Sequence, residues 1–282
     1  MPKSLWSVPA ASALHAEGVQ VADLDTSATP GFRGDKKAGE LLLEERRAVL
    51  SGLQERLYAN GRSGDPHNIL LVLQGMDTAG KGGIVRHVIG SVDPQGVDHA
   101  AFGVPTTEER KHHYLWRIRK KLPRGGQIGV FDRSHYEDVL VVRVHDLVPP
   151  DVWGKRYDEI NTFERTLAEA GTTVIKVAMF VSPDEQRKRL AERLDRPDKY
   201  WKFNPADIDE RAFWPAYQDA YQAVLDRTGT EHAPWYVVPA DRKWFARLAV
   251  TELLIDALRT LKLEWPAAQF DVAEQRRRLS AG

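Results

Sequence analysis

Residues 69–73 are five apolar residues in a row (ILLVL). They lead through Gln74 into GMDTAGKGG at 75–83, after which Ile84, Val85, Val88 and Ile89 recur at helical spacing. An unbroken apolar run of this length, bounded by Asn68 and Gln74, is the pattern of a parallel strand covered on both faces. Strand, glycine loop and helix in succession leave few folds open. Gly75 and Gly80 permit a tight turn whose backbone N–H groups converge on one point, the helix start adds partial positive charge, and Lys81 adds a full one. The spacing Gly-x4-Gly-Lys therefore reads as a phosphate loop. A plain glycine turn with a surface lysine matches the same letters but has no need of a buried strand before it. A dinucleotide fingerprint fails, because Val85 stands where its third glycine should fall.

Further apolar runs at 128–131, 174–181 and 235–238 are separated by stretches with helical periodicity, the alternation of βαβ units. Residues 41–58 place Leu43, Leu50, Leu53 and Leu57 on one face of a covering helix. Ser182, Pro183 and Glu185 supply a cap, a first-turn proline and a capping-box glutamate, opening a helix that runs to about Leu194. Phe213, Trp214, Tyr217, Tyr221, Val224 and Leu225 mark another helix, and residues 245–261 a last one. We expect one α/β domain over 40–265. An extended arm at 1–39, anchored by Trp6, precedes it, and a solvated tail at 266–282 carrying Arg276, Arg277 and Arg278 follows.

Forty Lys and Arg against forty Asp and Glu give a formal net charge of zero. A uniform basic coat, as on a general nucleic-acid binder, is excluded, and any polyanion must meet a local patch. With no cysteine there is no disulfide framework, thiolate nucleophile or cysteine-ligated zinc. No stretch approaches the ~18 apolar residues of a membrane span and the first residues lack a signal-peptide core, so the sequence reads as cytoplasmic.

Two residues modify the loop. Gly82 stands where a Ser or Thr hydroxyl usually helps to hold Mg²⁺, so a metal needs another ligand. Asp77 lies inside the loop, where a bound polyphosphate would repel it unless a divalent cation sat between them. It is a candidate metal ligand or base, the alternative being a cap on the following turn. The strand at 126–131 ends in Asp132, as a Walker B carboxylate would, although an aspartate there can also be a generic helix cap. Arg133 follows, with Glu137 and Asp138 beyond; Asp138 reads as first-turn acid.

Two cationic segments remain. Residues 189–211 (RLAERLDRPDKYWKFNPADIDER) carry Arg189, Arg193, Arg196, Lys199 and Lys202 with Trp201 and Phe203, the make-up of a lid over a reacting phosphoryl group or of an ordinary charged helix and loop. Residues 110–124 (RKHHYLWRIRKKLPR) hold seven Lys and Arg and no acid. On a helix Tyr114, Ile118 and Leu122 would face inward and Arg117, Lys120, Lys121 and Arg124 outward, a stripe suited to an extended polyanion or else a solvated basic face.

GMDTAGKGG, VFDRSHYED at 130–138 and RLDRPDKYWKFNPADIDER at 193–211 together resemble the family-2 polyphosphate kinases, over roughly residues 40–262. The resemblance implies a P-loop kinase-like three-layer α/β/α fold with a parallel central sheet and a helical lid at about 193–212. It implies phosphoryl transfer between inorganic polyphosphate and adenine or guanine nucleotides with Mg²⁺ or Mn²⁺, in a homo-oligomer (dimer or tetramer) without nucleic-acid or membrane partners. Catalytic roles carry over to Asp77, Lys81, Asp132, Arg133 and Arg193, with Asp77 and Asp132 as metal ligands. Gly75, Thr78, Ala79, Gly80, Gly82, Glu137, Lys199 and Lys202 become phosphate or nucleotide contacts, and Arg117, Lys120 and Lys121 the polyphosphate track. Glu137 in its HYED context looks like the subgroup acting on both AMP and ADP, although members of that subgroup often carry an acidic residue where this chain has Gly82. Without the resemblance, an ATP-dependent kinase of a small metabolite or a non-catalytic nucleotide switch would fit the loop.

Overall fold

The computed structural model describes residues 5–281. Five strands form one all-parallel sheet: β1 (Asn68–Gly75), β2 (Val97–Ala101), β3 (Ile128–Asp132), β4 (Thr172–Phe180) and β5 (Trp235–Pro239), in the order β2-β3-β1-β4-β5. The apolar run that opened the sequence is the middle strand. Because successive side chains point to opposite faces, Ile69, Leu71 and Leu73 join one core while Leu70 and Val72 join the other. One core is closed by α2 (Lys36–Arg62), α3 (Lys81–His87) and α10 (Lys243–Thr260); the other by α4 (Leu115–Arg119), α6 (Pro150–Glu169) and α9 (Trp214–Thr228). The result is three layers, α/β/α.

Several elements differ from expectation. Helix α2 begins at Lys36 because the Asp35 carboxylate accepts from the Ala38 N–H at 2.8 Å. Gly39 does not break it; it makes room for Trp244, whose ring would lie 2.3 Å from a Cβ there. The arm is not uniformly extended. It includes α1 (Ala10–Leu14), buries Leu14 and Phe32, and follows the body: the Ala16 N–H donates to the Trp235 carbonyl, His15 bridges Tyr236 on the outer edge of β5, and the Asp241 N–H donates to the Thr26 carbonyl. Trp6 packs edge-on against Phe32, 5.5 Å between centroids. The tail contains an exposed helix, α11 (Val272–Ser280), capped by Asp271.

Helix α7 (Pro183–Leu194) starts on the expected box, the Ser182 hydroxyl accepting from the Glu185 N–H at 3.1 Å. Beyond it short turns and α8 (Ala206–Asp209) lead to α9, while α5 (Val141–Val144) follows the β3 turn. A fully buried ion pair braces the sheet: Lys176 of β4 donates to Glu164 of α6 at 2.6 Å, and Glu164 also accepts from Tyr136 and contacts His135. Burial pushes the Lys176 ammonium down, while Lys176 and His135 hold the Glu164 carboxyl below its ordinary range despite burial that works the other way. Among the described residues no helix is long and apolar enough to cross a membrane.

Candidate functional site

β1 and β3 are hydrogen-bonded neighbours with Leu73 level with Asp132, so the loop after β1 and the strand-end carboxylate open onto the same crevice at the carboxyl edge of the sheet. Gly75 is required there: a Cβ would stand 2.7 Å from the Met179 carbonyl oxygen of β4. Gly80 turns the chain into α3 at φ +113°, and two residues that are not glycine, Thr78 at φ 66° and Arg133 at φ 62°, also hold left-handed backbone. Such strain is kept where the surrounding structure fixes it, and here it brackets the crevice.

Inside the loop the Lys81 ammonium donates to the Gly75 carbonyl at 2.6 Å. Burial, and then the charge of Arg133, press its pKa down, against the pull of Asp132, Asp77 and Glu137. Arg133 donates to the Asp77 carboxylate at 2.8 Å. Its guanidinium stays charged because Glu137 and Asp77 outweigh the penalty of burial. Glu137 accepts from the Gln74 amide at 2.9 Å, and burial holds its carboxyl above the ordinary range. Its charge also reaches α9: burial and then this carboxylate raise the Tyr221 hydroxyl, while the Tyr217 hydroxyl is raised by burial and then by Glu210, to which it donates at 2.9 Å.

Arg189 and Arg193, one helical turn apart on α7, have different surroundings. Arg189 is buried and spends its donors on backbone: Thr78 and Ala79 in the loop, Ala240 and Asp241 after β5, with Glu185 behind it. It clamps the loop from below. Arg193 reaches the cleft and bonds the Lys202 carbonyl at 2.9 Å and the Asp207 carboxylate at 3.1 Å, both supplied by the segment after α7. Burial, then Asp77, raise the Asp207 carboxyl, against Arg193 and Arg133.

The cleft over this loop has a volume of about 700 Å³. It gathers Asp77, Thr78, Ala79, Gly80, Lys81, Gly82, Asp132, Arg133, Arg193, Lys199 and Lys202 of the expected set. In all, ten Lys and Arg side chains line it against three carboxylates. Like charges crowd one another here. Burial and then Lys199, Arg193 and Arg86 push the Lys202 ammonium down, and burial and then Arg247, Arg86 and Arg47 do the same to His87. A polyanion relieves that repulsion.

The stripe at 110–124 is corrected. The segment is a 3₁₀ turn at 109–111 and one short α-helix at 115–119, and Arg117 turns inward, donating to the Gly103 carbonyl at 2.8 Å with its guanidinium over the Phe102 ring. Phe102 and Gly103 belong to the cleft wall, so Arg117 braces that wall from behind and is not on an outer track. The expected outward face assumed a longer helix, which stops before Pro123 and the Gly125-Gly126 turn. Lys120 lies over Trp116, Lys121 is exposed, and neither lines the cleft.

Sequence reading missed Arg86 on α3 and Lys243 and Arg247 on α10 as cleft residues. A signal was present: Lys243 and Arg247 are cations four apart in the first turns of a helix, where its dipole favours acids.

A family model described as Polyphosphate kinase 2 (PPK2) matches residues 33–265. The AMP/ADP-polyphosphate phosphotransferase of Meiothermus ruber is 48% identical over 242 residues, covering 86% of this chain and 89% of that protein. The ADP-polyphosphate phosphotransferase of Rhodopseudomonas palustris is 41% identical, with 89% of each covered. The crystal structure of polyphosphate kinase 2 from Arthrobacter aurescens superposes with a TM-score of 0.96 over 98% of both chains, at 50% identity.

Proposed function

The chain belongs to the polyphosphate kinase 2 family, and from that membership we propose that it moves phosphoryl groups from inorganic polyphosphate to AMP and ADP, reversibly. The observation that carries this reading is the cleft itself: ten cations around one phosphate loop exceed what a single nucleotide needs and suit a long polyanion. The track we assign to the chain runs past Arg86, Lys243 and Arg247, which line the cleft where Lys120 and Lys121 do not.

An oxygen of the acceptor's terminal phosphate attacks the terminal phosphorus of the chain as the bridging P–O bond breaks, and a polyphosphate one unit shorter leaves. That oxygen is already ionised near neutral pH, since the second phosphate pKa is about 6, so no base is required. The protein aligns donor and acceptor and stabilises charge. Lys81 and the loop N–H groups hold the phosphate beside the scissile bond; Arg133 and Arg193 neutralise charge on the transferring group. We assign Glu137, which accepts from Gln74 and does not itself line the cleft, to acceptor selection that favours use of both nucleotides.

Asp77 and Asp132 would hold the divalent ion. Among the described residues no group of three or more His, Cys, Asp or Glu could cage a metal. Two carboxylates fit Mg²⁺ or Mn²⁺ that keeps its waters and shares the substrate's phosphates. A bound ion would offset the charge of the substrate's phosphates. Exposed Trp265, Phe270 and Leu279 support a homo-oligomer.

Incubation with AMP, Mg²⁺ and long-chain polyphosphate, without ATP, should yield ADP and then ATP. Transfer only when ATP is the donor would replace this reading with that of a metabolite kinase.

A further inference from the structure

Arg193 sits on the last turn of α7 with its side chain 23% exposed, and the Asp207 side chain is 13% exposed. A nearby pair shows the contrast. Arg196 and Asp198 also bond, yet both are 59% exposed, so solvent screens them. Arg193 of the enclosed pair lines the cleft while Asp207 does not, so a carboxylate set just outside a cavity that collects cations holds one of them by its guanidinium. Asp207 also lies close enough to Asp77 to feel its charge. Among the described residues there is no third ligand that would turn these carboxylates into a metal cage. What Asp207 does have is the guanidinium of Arg193, held together with the Lys202 carbonyl.

We propose that Asp207 is a positioning residue acting through Arg193: its carboxylate stands in for a phosphate, keeps the guanidinium aimed into the cleft, and yields it to the polyphosphate chain. The inference rests on the cleft being the polyphosphate site. Its consequence is a trade in which Asp207 weakens donor binding and eases release of the shortened chain. Asp207→Asn removes the competing charge while keeping the size; Asp207→Glu keeps the charge.

The test is a double-mutant cycle on the full chain, read as the Kd of inorganic tripolyphosphate by calorimetry at fixed ionic strength, with circular dichroism to confirm folding. Asp207→Asn should bind tripolyphosphate about three- to ten-fold more tightly than the parent, the size expected for a partly enclosed ion pair. Asp207→Glu should stay near the parent value. In an Arg193→Ala background the Asp207→Asn gain should fall below about two-fold, because the partner through which it acts is gone. In turnover, Asp207→Asn should lower KM for polyphosphate and kcat together. Binding by Asp207→Asn no tighter than by the parent, or an equal gain in the Arg193→Ala background, overturns the proposal. Binding is readable on a protein that transfers nothing. Failure of the parent to convert AMP with polyphosphate would overturn the function instead and leave the cycle interpretable.

Discussion

Arg133 donates to Asp77 at 2.8 Å across the ends of two adjacent strands, each residue reaching the other from a loop that begins where its strand stops. The pair offsets the charge of the carboxylate inside the phosphate loop and fixes a guanidinium beside the Lys81 ammonium. Replacing Arg133 with Lys keeps the charge but loses the planar fork. We expect Arg133→Lys to lower kcat for ATP formation by about 10²–10³-fold, as loss of one charge-stabilising donor does elsewhere. Its thermal midpoint should stay within a few degrees of the parent; single-turnover kinetics beside a melting curve check both.

The two arginines of α7 should separate stability from turnover. Arg189→Ala leaves four loop and strand-end carbonyls without their donor. It should cost about 3–5 kcal/mol, near 10 °C in Tm for a chain of this size. Arg193→Ala, which leaves only the partly enclosed Asp207 without its partner, should lower Tm by no more than a few degrees and kcat by about 10³-fold. Calorimetric scans and steady-state rates on both variants decide it; an unfolded Arg193→Ala would reassign that residue to the scaffold.

Charge reversal maps the polyanion's path. Arg86→Glu and Arg247→Glu, at the cleft wall, should each raise KM for long-chain polyphosphate and flatten its salt dependence by about one unit of log–log slope. Lys120→Glu with Lys121→Glu should leave KM within two-fold, since neither lines the cleft. KM measured over a range of salt concentrations distinguishes the two surfaces.

Glu137 has a carboxyl raised by burial. Such a group costs stability once pH exceeds the unfolded value, about 4.3, and costs most above the folded one. Glu137→Gln should therefore raise Tm at pH 8 and give no gain near pH 3, where both states carry a proton. The same change should depress AMP-dependent turnover. Melting curves at the two pH values, with AMP and ADP rates alongside, read both effects.

The sheet was legible wherever a strand is buried on both faces. Residues 69–73 and 174–181 need no context to read as strands, and Ser182 with Glu185 marks the start of α7 to the residue. The edge strand β2 was not legible: VDHAA has one buried side chain and no apolar run, and it is a strand because β3 offers its free edge. The loop was legible from order and spacing, whereas Asp132 and the cations of α7 kept a generic cap and an ordinary charged helix as alternatives until the family resemblance was added. Arg117 was misread because its direction depends on where the Gly103 carbonyl lies, a contact fourteen residues away. Arg86 and Arg247 were missed because they meet only after α3 and α10 pack side by side against the same face. A site assembled from several helices is visible residue by residue, and its outline appears only on folding.

The arm lying along β5 has a consequence for how molecules of this chain keep apart. The outer backbone edge of β5 would otherwise present unpaired N–H and C=O groups, the template from which strands of separate molecules zip together. His15 and Ala16 occupy that edge, the Ala16 N–H already engaged by Trp235. Removing the first sixteen residues, or pulling them aside with a bulky fusion, would leave the phosphate loop intact and uncover a sticky border. Loss of solubility, with activity per folded molecule preserved, is the outcome such a truncation should give.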